Sequence, residues 1–472
     1  MLVCSANSCR SLARLRLVKE RSFFLGFFQT IVRGSPVCSN KIVAEIFQAR
    51  DMSTSKALIP AQRVAEKPLN IWQELTDLAR IHGKVNLGQG MPDFNPPHYV
   101  NDALSQAAQS ADVPMQQYSR GQGNLRLTNA LAKMFSKLHG REINPMTEVI
   151  VTVGAYEALF DSFMAFVNPG EEVILFDPCF DCYYNQIRLA GGKPVYVTLQ
   201  QKKDATTAKD WIIDRASIEA KITDKTRAIV INTPHNPVGK VLSKEELEMI
   251  ADICIKHDLL CISDEVYEWL VFNGAKHTRI ATLPGMWERT LTISSGGKTF
   301  GVTGWKVGWV IGPENLIRSV QAVHTDVTFH VPTPIQDAVA TCIERETPLL
   351  GTSESHFAQL AELTTKRMEK IVRFLTDFGF VPMIPEGGYF MMADFSKVDT
   401  GVDLNDYDKS DDPVDYKFVR WLAKEKGIAL VPPSAFYGAD NKALAGTNVR
   451  VCLMKADSSI DKAAELLKKI KK

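Results

Sequence analysis

The sequence predicts an α/β protein, with a large domain built on a mostly parallel central sheet flanked by helices and a smaller α+β domain. Short runs that are apolar on both faces recur between residues 148 and 293, as expected for strands buried inside a parallel sheet. Helical patterns separate most of these runs, and this alternation is typical of a sheet that is covered on both faces. The chain has 472 residues, a length that favours two domains over one.

The predicted strands of the large domain follow one another along the chain. Each run is rich in aliphatic residues, many of them β-branched, which suit the buried surface of a strand. The segment that begins at residue 244 has helical spacing and exemplifies the helices expected between strands. We place this domain at about residues 100–345, with strands at 148–153, 172–176, 194–197, 228–232, 259–263 and 291–293.

A change in composition at residues 351–353, Gly-Thr-Ser, marks the end of the large domain. A long amphipathic helix is expected at 355–378, followed by short strands and a final Lys-rich helix. We predict that residues 346–472 form the smaller α+β domain together with residues 60–99.

Composition excludes several classes of protein. The hydrophobic fraction of 45% and the charged fraction of 23% are ordinary for a soluble globular chain. The net charge is +1, so the chain as a whole has no basic surplus for nucleic acid or for a membrane surface. We therefore expect neither a nucleic-acid nor a membrane partner.

The nine cysteines do not suggest a disulfide scaffold at this length. Cys179 and Cys182 form a C-x-x-C pair, for which a thioredoxin-like redox role stays open. Buried, inert thiols are the favoured interpretation, because a single C-x-x-C arises often by chance. There is no second C-x-x-C and no H-E-x-x-H, so no metal site is predicted.

The first fifty residues differ in composition from the rest. They carry eight Lys and Arg against two Glu, a local charge of +6, with serines between or beside the basic residues. This Arg-rich, Ser-rich and acid-poor pattern is typical of a mitochondrial transit peptide, so we expect residues 1–51 to be a leader. Two alternatives stay open. The apolar patch at 23–28 suits the core of a secretory signal, and a start at Met52 would leave a cytosolic product.

The most informative stretch of the chain is 294–309, in which Lys298 follows two serines and two glycines. A lysine held in a buried place loses its proton readily and attacks carbonyl groups. The stretch is not a nucleotide P-loop, because the position five before Gly297 is Thr292 and not glycine. Taken alone, a solvated loop lysine remains the alternative.

Polar residues follow several of the predicted strands, and in a parallel sheet such strand ends meet at one edge. The first strand is followed by Gly154-Ala155-Tyr156, a small-residue turn that opens a helix and suits a phosphate. Later strands are followed by Asn236, by Asp264 with Tyr267, and by Lys298. Pyridoxal phosphate needs an amine to form an imine, an acid at its ring nitrogen, donors at its ring hydroxyl and a phosphate anchor. These residues meet those needs.

The motifs on these strand ends resemble those of the fold-type I pyridoxal-phosphate aminotransferases of class I/II. Within that class the chain is similar to the group of kynurenine aminotransferase, glutamine transaminase K and cysteine-S-conjugate β-lyase. The resemblance covers about residues 60–472, and the stretches that carry it are 85–94, 153–159, 232–237, 263–268, 294–309 and 448–452.

The resemblance implies roles for individual residues at the cofactor. Lys298 matches the lysine that forms the imine and moves a proton at the substrate α-carbon, and Asp264 matches the partner of the ring nitrogen. Asn236 and Tyr267 match the donors to the ring hydroxyl. The remaining positions match the phosphate site and the aromatic that stacks on the ring, and they are Ala155, Tyr156, Ser295 and Lys306 for the phosphate and Phe180 for the stacking.

The resemblance also implies a substrate site. Arg450 matches the arginine that binds the α-carboxylate, a task that suits a planar guanidinium, and Gly88 matches the backbone beside it. An aromatic-lined pocket is implied by Trp72, Tyr118, Phe329 and His330. In the family the residue at Tyr118 belongs to the neighbouring subunit's site, which implies a homodimer.

The position before Gly297 departs from the family, because Gly296 stands where the group usually has alanine. Ordinary core packing is the alternative role for each of the four aromatic residues of the implied pocket.

The expected activity is transfer of an amino group from L-kynurenine to a 2-oxo acid, with glutamine, methionine and aromatic amino acids as further donors. Elimination from cysteine conjugates is an expected side activity. The alternatives are an alanine, aspartate or general aromatic aminotransferase, and a non-catalytic relative that keeps the fold for binding.

Overall fold

The computed structural model describes residues 59–65 and 71–468. The predicted leader at 1–51 and the alternative start at Met52 lie outside the described residues. The chain divides into two units, Met1–Lys67 and Pro68–Lys472. Of the first unit the structure describes one short helix, and everything below concerns the second.

The strands are short and lie mostly in the middle of the chain. Their order is β1 (Val85–Asn86), β2 (Val149–Thr152), β3 (Glu172–Asp177), β4 (Lys193–Thr198), β5 (Gln200–Gln201), β6 (Trp211–Ile212), β7 (Thr226–Asn232), β8 (Leu260–Asp264), β9 (Thr290–Ser295), β10 (Gly308–Ile311), β11 (Val381–Pro382), β12 (Phe390–Asp394), β13 (Ile428–Ala429) and β14 (Asn448–Cys452).

Helices separate most of these strands. Their order is α1 (Gln62–Ala65), α2 (Ile71–Ile81), α3 (His98–Ala108), α4 (Leu125–His139), α5 (Gly154–Phe166), α6 (Cys182–Leu189), α7 (Arg215–Glu219), α8 (Lys244–Lys256), α9 (Gly296–Thr299), α10 (Glu314–Val327), α11 (Thr333–Glu346), α12 (His356–Phe378), α13 (Leu404–Tyr407), α14 (Val414–Trp421) and α15 (Asp457–Lys468).

The central sheet has seven strands in the order β2-β10-β9-β8-β7-β3-β4. The α/β class and the mostly parallel sheet are confirmed, and each predicted strand lies within two residues of an observed one at both ends. The seventh strand, β10, was not predicted, and it pairs antiparallel with both β2 and β9. The register aligns the strand ends, because Asn232 pairs with Asp264 and Asp264 pairs with Ile293.

Both faces of this sheet are buried, which explains why its strands are apolar on both sides. In β7, Ile229 and Ile231 join the core that includes helix α8. The alternate residues Ala228 and Val230 join another core, which includes helices α5 and α10. The helices therefore fix the sheet from two sides and leave its carboxyl edge to carry polar side chains.

Helix α12 confirms the long helix predicted at 355–378. Ser355 caps its first turn by accepting from the Phe357 N–H, and Gly379 ends it with a φ of +103°. The strands β11, β12 and β14 form an antiparallel sheet, and β1 pairs with β13. Within the second unit, one core contains residues from Leu75 near its start to Leu467 near its end. The predicted domain boundaries stay a prediction.

Among the described residues, no helix has both the length and the apolar composition that crossing a bilayer requires.

Candidate active site

A cavity of about 410 Å³ opens at the carboxyl edge of the central sheet. Strands β7, β8 and β9 each end beside it, so the aligned strand ends deliver their polar residues to one place. Eleven of the predicted site residues line it: Trp72, Ala155, Tyr156, Phe180, Asn236, Asp264, Tyr267, Ser295, Lys298, Lys306 and Arg450.

Lys298 lies on the short helix α9 that follows β9 directly. Ser295 caps this helix by accepting from the Lys298 N–H at 3.3 Å, and Nζ donates to the carbonyl oxygen of Gly90 at 3.0 Å. The rings of Tyr267 and Tyr389 lie 5.8 and 5.0 Å from Nζ. Burial lowers the pKa of Lys298 to about 8, because an ammonium is poorly solvated there. The neutral amine that attacks a carbonyl is therefore accessible near neutral pH.

Asp264 ends strand β8 and is 3% exposed. The Tyr183 hydroxyl donates to its Oδ2 at 2.6 Å, and the Val266 N–H donates to its Oδ1 at 3.2 Å. Burial raises the pKa of Asp264 to about 6, and these hydrogen bonds oppose the rise. Asp264 is therefore mostly a carboxylate at pH 7, the form that keeps a nearby pyridine nitrogen protonated.

Arg450 and Asn236 meet across the cavity. Arg450 donates from Nη1 to Asn236 Oδ1 and from Nη2 to the Gly88 carbonyl oxygen, each at 2.9 Å. The Phe390 ring lies 3.8 Å from the guanidinium carbon. Burial lowers the pKa of Arg450 to about 10, so the side chain stays cationic at neutral pH. A buried, cationic and planar group of this kind suits a carboxylate ligand.

The start of helix α5 forms a cradle for an anion. Gly154 has a φ of +75°, and a Cβ at Gly308 would lie 2.5 Å from the Ala155 nitrogen. Only glycine therefore lets β10 approach this turn. Ser295 lines the same cavity, and a Cβ at Gly154 would lie 3.3 Å from Lys306 Nζ. The first N–H groups of a helix and a lysine ammonium together bind phosphate well.

The residues present fit pyridoxal phosphate. One cavity holds a buried amine, a carboxylate oriented by two donors, an amide with a phenol and an anion cradle at a helix start. The cradle has no room for a Cβ at Gly308, as expected where backbone N–H groups serve a ligand.

Aromatic side chains form one wall. The Phe180 ring packs edge-on against Tyr156 and Tyr183, with centroids 6.5 and 6.0 Å apart. Trp72 lies near the guanidinium of Arg450, and its indole N–H donates to Asp181 Oδ2 at 2.9 Å. The indole is therefore held in place beside the carboxylate-binding group.

Four predicted residues do not line the cavity. Gly88 contacts Arg450 instead, through its carbonyl oxygen. Tyr118, Phe329 and His330 form what we call the outer aromatic cluster, in which the Tyr118 ring lies 5.6 and 4.7 Å from the other two rings. Tyr118 is 78% exposed and Phe329 is 57% exposed. Core packing is therefore excluded for these two, and the cluster's role at a substrate stays a prediction.

Several contacts of the site escaped the sequence prediction. Tyr183 lies three residues after Phe180 and directly after the C-x-x-C pair, and this helical spacing is the sequence signal that indicates it. Gly90 contacts Lys298 through a carbonyl oxygen, which no side-chain motif reveals. Tyr389, which donates to the Lys298 carbonyl oxygen at 2.9 Å, comes from a distant part of the chain.

The two thiols of the C-x-x-C pair are buried, at 5% exposure for Cys179 and 1% for Cys182. Burial raises the pKa of both thiols well above its usual range. Since the thiolate is the reactive form, this environment favours inert thiols over a redox pair.

Comparison with known proteins agrees with the geometry. The family model "Aminotransferase class I and II" matches residues 82–470. Kynurenine--oxoglutarate transaminase 3 of Mus musculus is 46% identical over 411 residues, which cover 86% of this chain and 89% of that protein. Kynurenine--oxoglutarate transaminase 1 of Homo sapiens is 43% identical over 418 residues, covering 88% and 98%.

Solved structures are similar as well. Bna3p of Saccharomyces cerevisiae, described as a candidate kynurenine aminotransferase, has a TM-score of 0.81 at 34% identity, over 88% of this chain and 99% of its own. YbdL of Escherichia coli, described as having a methionine aminotransferase function, has a TM-score of 0.76 at 32% identity, over 87% and 100%. With this family match and a cavity that fits the cofactor, the chain belongs to the class I and II aminotransferases, which depend on pyridoxal phosphate.

Proposed function

We propose that this aminotransferase takes its amino group from L-kynurenine and passes it to a 2-oxo acid. The observation that carries the proposal is the set of relatives at 42–46% identity over most of the chain, which are named kynurenine--oxoglutarate transaminases. The aromatic wall beside Arg450 supports it, because Trp72 offers a flat apolar surface to an aromatic amino acid.

The residues of the cavity divide the work of the reaction. Pyridoxal phosphate supplies, when bound, an electron sink for the negative charge that develops at the substrate α-carbon. Arg450 would hold the α-carboxylate, and Asp264 would keep the ring nitrogen protonated. Lys298 would hold the cofactor through its carbonyl carbon, and as a free amine it would move a proton at the substrate α-carbon.

The cofactor's other groups have partners too. Asn236 and Tyr267 would donate to the ring oxygen, while the cradle at Ala155, Ser295 and Lys306 would hold the phosphate. The ring oxygen and the phosphate would then both be held. Contacts far from the reacting carbon would thus orient the cofactor for the reaction.

Glutamine, methionine and aromatic amino acids are further proposed donors, and the relatives and the apolar wall support them together. A substrate with a leaving group on its β-carbon could lose that group when negative charge develops at its α-carbon. We therefore propose a β-lyase side activity on cysteine conjugates.

A panel of amino donors at equal concentrations, with a 2-oxo acid in excess, tests the proposal. We expect L-kynurenine among the donors with the highest kcat/KM, and Lys298→Ala should abolish turnover of all of them. Negligible turnover of kynurenine beside rapid turnover of alanine or aspartate would instead favour the alternative aminotransferases. A protein without turnover of any donor would favour the non-catalytic alternative.

We further propose that the enzyme is a homodimer in which the outer aromatic cluster faces the partner's cavity. The exposure of Tyr118 and Phe329 supports this, since large aromatic groups at such exposure are typical of interaction surfaces. Analytical ultracentrifugation tests the assembly, for which a monomer at micromolar concentration is the contrary result.

Residues 1–51 are proposed to be a mitochondrial leader, on the basis of their Arg-rich and Ser-rich composition. N-terminal sequencing of the protein from fractionated cells tests this. A mature protein that begins near residue 52 in the mitochondrial fraction is expected, and an intact N terminus or a cytosolic protein that begins at Met52 would contradict it.

A further inference from the structure

The carboxylate of Asp264 is held by a phenol that has no assigned role. Tyr183 lies on helix α6, is 2% exposed, and its hydroxyl donates to Asp264 Oδ2 at 2.6 Å. Both side chains line the cavity. A hydrogen bond to a charged acceptor in such a dry place is among the stronger ones in proteins.

The second carboxylate oxygen is also held, because the Val266 N–H donates to Oδ1 at 3.2 Å. One donor on each oxygen fixes the plane in which the carboxylate lies. A carboxylate has about four acceptor positions, so lone pairs remain for a donor on the cavity side.

We propose that Tyr183 is a positioning residue, which keeps the Asp264 carboxylate ionised and turned toward the cofactor's ring nitrogen. This role depends on the family's use of pyridoxal phosphate and does not depend on which amino acid is the donor. It assigns to the phenol a role in cofactor affinity and in the pH range of the reaction, rather than a contact with substrate.

The electrostatic surroundings support this role. Burial raises the pKa of Asp264, and the Tyr183 hydrogen bond is the largest influence that lowers it. Without the hydroxyl, the carboxyl would hold its proton to higher pH, and a neutral acid does not pair with a pyridinium. The titratable groups that interact with Asp264 are Tyr183 and Cys182 on helix α6, Glu265 and Tyr267 after β8, and Lys298 on α9.

The ring of Tyr183 has a separate, structural contact. It packs edge-on against Phe180, with centroids 6.0 Å apart. Tyr183→Phe keeps that contact and removes only the hydroxyl. Tyr184→Phe is the matched control, because it removes a phenol hydroxyl from the next position of the same helix, where the partner is Arg188.

The test titrates each purified protein with pyridoxal phosphate and follows the absorbance of the bound cofactor. It also measures kcat/KM against pH with a donor that the wild type turns over. For Tyr183→Phe we expect about tenfold weaker cofactor binding and an acid limb displaced by about one unit to higher pH. Tyr184→Phe should match the wild type in both, and thermal melting verifies that the variants are folded.

Wild-type cofactor affinity and an unshifted acid limb in Tyr183→Phe would overturn the proposal. Should that variant yield no folded protein, Tyr183→His, which keeps a donor, is compared with Tyr183→Leu. The proposal then requires tighter cofactor binding by the histidine variant, and equal affinities overturn it. A wild-type protein that binds no pyridoxal phosphate would overturn the enzyme assignment and this proposal together.

Discussion

The guanidinium of Arg450 donates to the side-chain oxygen of Asn236 over 2.9 Å. This bond uses the amide's acceptor, so the amide NH₂ of Asn236 is left to donate to another group. The group expected to bind the substrate carboxylate and a group expected to bind the cofactor are thus oriented by each other. Their mutual placement requires β14 to lie beside the turn after β7.

Arg450→Lys should weaken substrate binding while leaving the cofactor in place. A lysine has no planar pair of donors, so it cannot hold Asn236, Gly88 and a carboxylate in one geometry. We expect KM for amino donors to rise about tenfold or more, with cofactor affinity changed by less than about threefold. Steady-state kinetics and cofactor titration measure the two effects. Arg318→Lys, at an exposed helix position, should behave as wild type, and an unchanged KM in Arg450→Lys would contradict the assigned role.

Gly308→Ala should damage the phosphate cradle. Its Cβ would lie 2.5 Å from the Ala155 nitrogen and 2.6 Å from the Gly154 carbonyl carbon, so the helix start has to move. We expect at least about tenfold weaker binding of pyridoxal phosphate, because the backbone N–H groups lose their alignment. Gly304→Ala is the control, since its Cβ would meet nothing within 4 Å. Equal cofactor affinity for the two variants would show that this turn does not bind the phosphate.

The sequence predicted the central sheet well because its strands are buried on both faces and therefore strongly apolar. It did not predict β10 (Gly308–Ile311), whose first two residues belong to the stretch 294–309 that carries Lys298 and whose last two follow it directly. The strand is defined by pairing with β2 and β9, a long-range property. The same holds for Gly90 and Tyr389, whose contacts with Lys298 depend on segments about 208 and 91 residues away.

Motif residues that follow the strand ends line one cavity, because the parallel sheet brings such ends together. The outer aromatic cluster does not line the cavity of its own chain, and its place at a substrate stays a prediction. Gly296 departs from the family's alanine, yet a Cβ there would lie 3.4 Å from Trp309 Cζ3, an ordinary contact. Steric crowding thus does not explain that glycine.

Lys298→Met should stabilise the cofactor-free protein at neutral pH. The pKa of Lys298 in the folded protein is about 8, below the usual 10.5. Below pH 8, folding therefore places a charged ammonium in a buried site, which costs free energy. The resulting cost is fully present below pH 8 and disappears as the pH rises toward 10.5. Because the side chain is partly open to the cavity, we expect a gain of about 1–2 kcal/mol in unfolding free energy at pH 7.

Urea unfolding at pH 7 and at pH 10 measures that gain, which should shrink at the higher pH. Lys133→Met is the control, since Lys133 is exposed on helix α4. Equal destabilisation of the Lys298 variant at both pH values would show that the lysine carries no burial cost.

Hybrid dimers test the proposed place of Tyr118. A hybrid dimer combines one Lys298→Ala chain with one Tyr118→Ala chain, so Lys298 is present only in the site of the Tyr118→Ala chain. The Tyr118 that would reach this site from the neighbouring subunit is intact, because it comes from the Lys298→Ala chain. If Tyr118 serves the neighbouring site, that site is complete, and we expect about half the wild-type kcat with the wild-type KM. The raised KM of the Tyr118→Ala homodimer should persist in the hybrid if Tyr118 acts within its own chain.

The central claim is that Lys298 catalyses amino transfer in this cavity, and a half-reaction without acceptor tests it most directly. Protein loaded with pyridoxal phosphate is mixed with L-kynurenine alone, and the absorbance of the cofactor is followed in wild type and in Lys298→Ala. We predict that the wild type converts its cofactor to the amine form in one rapid turnover, and that Lys298→Ala does so at least about a thousandfold more slowly. Equal rates in the two proteins would contradict the claim.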